Sequence, residues 1–216
     1  MNKTCILFDL DGTVLDSKPG VFHSISYALN AMSLPMPHEE VLMGFLGPPI
    51  TMGFEKICNV PKERVEEAVR LYREYYNNGG KFEAEIFGGM RELLINLRKN
   101  QFSCCVTTSK PEIFAKQILA HYDMDCLFDG IYGSGLDGAR DSKAEVIAYC
   151  LEQQSITSKD CILVGDRYFD VDGAKAFDMP CIGVLFGYGS KEELEQAGAI
   201  YLADTPNDVL KYVLTL

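Results

Sequence analysis

The chain has 216 residues, 47% of them hydrophobic and 24% charged, an ordinary globular balance that excludes disorder and supplies a core for one domain, or one domain carrying an insertion. Its 31 acids outnumber 20 bases, and the resulting net charge of −11 excludes wrapping of a nucleic-acid polymer or an anionic bilayer, which needs a basic surface. No apolar run reaches the roughly 7–15 residues of a signal-peptide core or the about 20 of a membrane span, so a cytoplasmic protein is expected. Eight cysteines include no CxxC pair. Cys5, Cys104, Cys105, Cys161 and Cys181 fall in strand-like apolar runs, the pattern of buried reduced thiols.

Residues 4–8 form a short continuous apolar run, the mark of a strand buried on both faces. No strand signal follows as far as residue 83. Val21, Ile25, Ala28, Leu29 and Met32 recur at helical spacing instead. So do Val65, Ala68, Val69, Tyr72 and Tyr76, in a helix predicted to start at Pro61 and stop at Asn77-Asn78-Gly79-Gly80. Gly47-Pro48-Pro49 separates two shorter helical pieces between them. The pattern predicts an all-helical insertion over residues 15–83, with residues 1–14 and 84–216 forming an α/β core. Beyond the insertion, strand and helix alternate. A helix is predicted over 90–99, a strand over 102–106, and a helix over 111–121 with Pro111 in its first turn. A weaker strand at 131–132 precedes Ser142-Lys143-Ala144-Glu145, whose capping-box spacing opens another helix. Strands over 161–164 and 181–185 and a weaker one over 200–203 complete the chain. The fold class is α/β, a Rossmann-like parallel sheet covered by helices.

Three of the apolar runs end in polar residues: Asp9-Leu10-Asp11-Gly12-Thr13, Thr107-Thr108-Ser109-Lys110, and Gly165-Asp166-Arg167 with Asp170 beyond. The carboxyl ends of parallel strands share one edge, where ligands bind, so these segments are predicted to meet. Asp9, Asp11, Asp166 and Asp170 held together repel, and must keep protons or bind a cation. Oxygen donors without His or Cys suit Mg²⁺ better than zinc. One carboxylate can then attack phosphorus, and a second two residues on can protonate the leaving oxygen and later take a proton from water. Thr108 and an ammonium group would hold the phosphate oxygens, and Gly12 would allow the tight turn over the phosphate. Asp170 reads equally as the cap of the helix that follows. Asp16 and Ser17 read as a helix N-cap. His23, His38 and His121 share no spacing and read as structural, and Lys191-Glu192-Glu193-Leu194-Glu195 reads as a solvated helix face.

The residues Phe8-Asp9-Leu10-Asp11-Gly12-Thr13 resemble the first signature of the haloacid dehalogenase superfamily of phosphohydrolases. Val106-Thr107-Thr108-Ser109-Lys110-Pro111 resembles the second, and Gly165-Asp166-Arg167-Tyr168-Phe169-Asp170 the fourth. The helical insertion resembles the family's helical cap. The resemblance implies that Asp9 carries an aspartyl-phosphate and Asp11 serves as general acid and base. It implies that Thr108 binds phosphate, with Gly12 and Ser109 in the same two phosphate-handling signatures. It also implies that Asp9, Asp11 through its carbonyl, and Asp166 ligate Mg²⁺, supported by Asp170. For the third signature, a lysine at a helix start, Lys143 fits, although Ala144 stands where the family often has proline. Lys159, in a polar turn close to the next strand, fits less well.

The segment Ile182-Gly183-Val184-Leu185-Phe186-Gly187-Tyr188-Gly189 and the residues after it resemble the phosphoglycolate phosphatase branch, and within it a 5′-nucleotidase-like group. The implied partner is a small phosphorylated metabolite. Phe45-Leu46-Gly47-Pro48-Pro49 is the insertion segment expected to face it, with hinges near Asp16 and Phe82-Glu83. A phosphomutase would share the core residues and differ in the cap. A receiver-like phospho-acceptor module would be shorter, lack the insertion and carry its phosphorylated Asp on a later strand. A dehalogenase needs neither Asp11 nor a metal site.

Overall fold

The computed structural model describes residues 5–47 and 50–216. Thr4, Pro48 and Pro49 of the sequence reading lie outside the described residues. The chain divides into two compact units, one comprising Ile86–Leu216 with the residues up to Asp16, the other Ser17–Glu85. Its course runs through β1 (Cys5–Phe8) and β2 (Leu15–Asp16) into the helical unit: α1 (Lys18–Ala31), α2 (Glu39–Leu42), α3 (Ile50–Lys56) and α4 (Val65–Asn77). It leaves through β3 (Glu85–Ile86), which pairs with β2. There follow α5 (Met90–Lys99), β4 (Ser103–Pro111), α6 (Glu112–His121), β5 (Gly130–Ser134) and α7 (Lys143–Gln154). The chain ends with β6 (Cys161–Gly165), α8 (Tyr168–Lys175), β7 (Cys181–Val184), α9 (Lys191–Ala197), β8 (Tyr201–Ala203) and α10 (Pro206–Val213).

Six strands form one sheet in the order β5-β4-β1-β6-β7-β8, every pair parallel. The chain builds outward from β1 through β4 to β5, then crosses back to lay β6, β7 and β8 on the other side. The direction of winding reverses between β1 and β6, the kind of switch point where parallel α/β sheets open a crevice. Register places Phe8 beside both Val106 and Val164, so Asp9, Thr107 and Gly165, the residues that follow, stand at one level. All four residues of β1 are buried, as its unbroken apolar run requires of a central strand. Side chains alternate across the sheet. Cys5, Leu7, Cys105, Cys161 and Leu163 share one face with Ile147 and Cys150 of α7 and Val171 of α8. Cys104 points to the other face, and all eight cysteines are free thiols.

In the helical unit, Phe54 of α3 is fully buried between Phe45 and Tyr72, with ring centroids 5.5 Å and 6.3 Å away in edge-to-face geometry. Ile25, Ala28 and Leu29 of α1 and Ala68 and Val69 of α4 fill the rest of its interior. The helix expected from Pro61 starts later, because Lys62–Arg64 form a 3-10 turn before α4. No helix among the described residues is long and apolar enough to cross a membrane.

Two boundaries in the core also differ from expectation. β4 extends to Pro111, since Thr107 and Thr108 continue the ladder opposite Tyr132 and Gly133 before the register shifts. Pro111 therefore precedes α6 as its N-cap rather than sitting in its first turn. At α7 the capping box forms as the spacing predicts: Ser142 accepts the Glu145 N–H while Glu145 accepts from the Ser142 backbone. Ser17 does not cap α1 with its side chain.

Candidate active site

Asp9 follows β1 and is fixed by its N–H, which donates to the Val164 carbonyl of β6 at 2.9 Å. Two residues on, the chain turns sharply, with the Gly12 N–H donating to the Leu15 carbonyl at 2.8 Å. Gly12 has φ +84°, and a Cβ there would lie 2.2 Å from Asp166 Oδ2. Backbone conformation and close approach thus both demand glycine.

Asp166 follows β6 and is wholly buried. Its Oδ2 accepts the Tyr188 N–H at 2.8 Å, and its Oδ1 accepts the Thr13 hydroxyl at 3.3 Å. Asp170, in the first turn of α8, does two things. Its Oδ2 accepts the Arg167 N–H at 3.1 Å, capping the helix, while its Oδ1 faces Lys143 Nζ at 2.8 Å.

Lys143 is delivered to these carboxylates by the capping box, which fixes it as the first residue of α7. Its stem packs against α8, where a Cβ on Gly173 would come within 2.5 Å of Lys143 Cγ. The buried ammonium reaches Asp9 Oδ1 at 2.6 Å, the Thr107 carbonyl at 2.8 Å and Asp170 Oδ1 at 2.8 Å. Three acceptors match its three protons. Thr108 is also buried, and its hydroxyl oxygen accepts the Lys110 N–H at 3.1 Å, which leaves the hydroxyl proton to donate elsewhere. Ser109 is exposed, and its carbonyl accepts the Ser134 hydroxyl at 2.8 Å.

The electrostatics follow from burial. Asp9, Asp166 and Asp170 each place a carboxylate oxygen within 4.8 Å of the others. Lys143 pairs with Asp9 and Asp170 of this trio. Burial pushes Asp9 up to about 7 against the pull of Lys143, with Asp170 adding to the rise. Burial, then Asp170 and Asp9, holds Asp166 well above the usual carboxylate range despite the Tyr188 N–H. Burial works against the charge on Lys143, but Asp170 and Asp9 raise its pKa and keep it protonated. A buried all-oxygen donor set with excess negative charge fits a hard divalent cation.

Asp11 is placed differently from the other acids. Its Oδ1 pairs with Lys110 Nζ at 2.8 Å, outside the trio of converging carboxylates. The sequence reading also gave no role to Tyr188, whose N–H holds Asp166 and whose hydroxyl donates to Asp16 Oδ1 at 2.9 Å. Asp16 is thus a partner of the loop after β7. Glu193 corrects the reading of a solvated face, because its Oε1 accepts from Arg167 Nε at 2.8 Å and the Tyr168 N–H at 2.9 Å. His23 lies in the helical unit beside Glu83, His38 precedes α2, and His121 ends α6 against Tyr122.

A parallel sheet whose switch point gathers carboxylates, a buried hydroxyl and a buried ammonium defines an α/β enzyme with an acidic, cation-ready site. The chain belongs to the haloacid dehalogenase-like hydrolase family, which its residues 6–184 match. It is 39% identical to a 5′-nucleotidase of Pseudomonas aeruginosa over 88% of this chain and 86% of that protein. It is 35% identical to the tyrosine-protein kinase PtkA of Mycobacterium tuberculosis over 88% of this chain, which spans 65% of that longer protein. Among solved structures, a predicted phosphatase from Clostridium acetobutylicum superposes over 100% of both chains with a TM-score of 0.93 and 40% identity.

Proposed function

We propose that the protein is a Mg²⁺-dependent phosphatase of small phosphate monoesters that carries the phosphoryl group transiently on Asp9. The convergence of Asp9, Asp166 and Asp170 at the carboxyl edge of the sheet, with Lys143 paired to Asp9 and Asp170, is the observation behind this reading. Asp9, Asp166 and Asp170 would hold the cation, with the Asp11 carbonyl as a further oxygen donor. When bound, the cation supplies positive charge that neutralises the carboxylates and polarises the phosphoryl oxygens.

Lys143 holds Asp9 Oδ1 and fixes the orientation of the nucleophilic carboxylate. An Asp9 oxygen bonds to phosphorus as the phosphorus–oxygen bond to the leaving group breaks, and Asp11 gives that oxygen a proton. Thr108 donates its hydroxyl proton to a phosphoryl oxygen, with Ser109 and the Gly12 turn shaping the same pocket. In the second half, Asp11 takes a proton from water as the water oxygen attacks phosphorus. The bond from Asp9 then breaks and inorganic phosphate leaves. The helical unit is proposed to act as the cap that selects substrate.

Kinship with a 5′-nucleotidase favours a nucleoside 5′-monophosphate, and the resemblance of the Gly187-Tyr188-Gly189 segment to phosphoglycolate phosphatases makes phosphoglycolate the other substrate to test. The test is inorganic phosphate release from a panel of nucleoside monophosphates, phosphoglycolate and sugar phosphates, with Mg²⁺ and with EDTA. Turnover of one class in Mg²⁺, lost in EDTA, is expected. Isomerisation of a sugar phosphate, or transfer of phosphate from ATP to protein tyrosine without monoester hydrolysis, would overturn the reading.

A further inference from the structure

Lys110 stands apart from the phosphate-handling residues by what it touches. Its side chain is only 8% exposed, deep for a lysine, and its ammonium lies 2.8 Å from Asp11 Oδ1. Its own N–H is anchored on Thr108 Oγ1, and the backbone next to it is pinned by the Ser134 hydroxyl on the Ser109 carbonyl. Asp11, in contrast, sits in the turn after β1 and is about a quarter exposed at its side chain, 23%. Lys110 is its partner among the described residues. A carboxylate on a turn has two soft torsions, and proton transfer needs it aimed well, since a misplacement of about 1 Å can cost about 10²-fold.

We infer that Lys110 is a positioning residue for Asp11: it clamps Oδ1 so that Oδ2 is the atom that exchanges the proton with the leaving group and then with water. This rests on the proposed acid–base role of Asp11. It also separates Lys110 from Lys143, which serves Asp9 and Asp170.

The experiment measures kcat/KM for 4-nitrophenyl, phenyl and 4-methoxyphenyl phosphate, because that ratio covers the step in which the leaving group departs. Wild type, Lys110→Met, Lys110→Arg and Asp11→Asn are compared, each with its folding verified by circular dichroism. A poor leaving group depends on the acid and a good one does not. Lys110→Met should lose about tenfold more on phenyl than on 4-nitrophenyl phosphate, a fraction of the about 10²–10⁴-fold that general acid catalysis supplies. Lys110→Arg should recover most of that difference. Equal loss on all three esters, as expected of a lysine that only binds phosphate, would overturn the inference, as would no loss at all. A steep dependence in Asp11→Asn with a flat one in Lys110→Met refutes the positioning role alone. A flat series in Asp11→Asn refutes the acid assignment and the inference with it.

Discussion

Removing the Lys143 ammonium while keeping its volume, in Lys143→Met, isolates the charge balance of the site. The ammonium answers Asp9, Asp170 and the Thr107 carbonyl at 2.6–2.8 Å, all of them buried residues. Breaking a buried ion pair from one side costs about 3–5 kcal/mol, because the remaining charge is stranded. The full cost is expected at pH 8, where Asp9 is ionised. At pH 5 it should shrink, because Asp9, raised to about 7, then holds a proton and has no charge left to strand. Urea unfolding followed by circular dichroism at the two pH values, without metal, measures both losses. A double variant with Asp9→Asn should recover part of the pH 8 loss, with a coupling of about 0.5–3 kcal/mol. A loss below about 1 kcal/mol, or one equal at pH 5 and pH 8, would mean that Lys143 contributes packing and not charge.

The same raised acids set the sign of metal linkage. Folded Asp9 and Asp166 hold protons that the unfolded chain releases. For Asp9 the penalty of ionising in the fold is absent below about 4, grows as pH rises toward about 7, and is complete above it. Mg²⁺ should therefore raise Tm more at pH 8 than at pH 5, its stabilisation reaching about 2.7 kcal/mol at a hundredfold excess over Kd. An equal rise at both values would contradict the linkage. Gly12→Ala forces a Cβ into Asp166 at a positive φ, and should cost about 1–3 kcal/mol in urea unfolding and about 10²-fold in turnover. Unchanged turnover would show that the turn tolerates displacement.

The sheet was legible because burial on both faces leaves an unmistakable composition, as in Cys5–Phe8 and Cys161–Gly165. Lys143 was legible because the Ser142–Glu145 capping box is a local signal that fixes where a helix begins. Thr107–Pro111 misled, because a strand can continue through polar residues when its neighbour, here β5, completes the ladder. Glu193 misled for a related reason. It belongs to a strongly charged helix, and only the packing of α9 beside α8 brings it to Arg167 and the Tyr168 N–H. The pairings of Lys110 with Asp11 across 99 positions and of Tyr188 with Asp166 across 22 carry no periodicity at all. They exist because strand register brings residues remote in sequence to one edge, which hydrophobic pattern does not encode. Gly187-Tyr188-Gly189 marked a turn after β7, but not that its backbone N–H would hold a carboxylate.

On the proposed mechanism, phosphorus is bonded to Asp9 between the two halves of turnover. Mixing enzyme with a radiolabelled monoester substrate and Mg²⁺, quenching in acid within milliseconds and sequencing the labelled peptide by mass spectrometry tests it directly. The expected result is an acid-stable, base-labile phosphoryl adduct on Asp9 that decays as inorganic phosphate appears and is missing from Asp9→Asn. An adduct on another residue, or full turnover by Asp9→Asn, would contradict it.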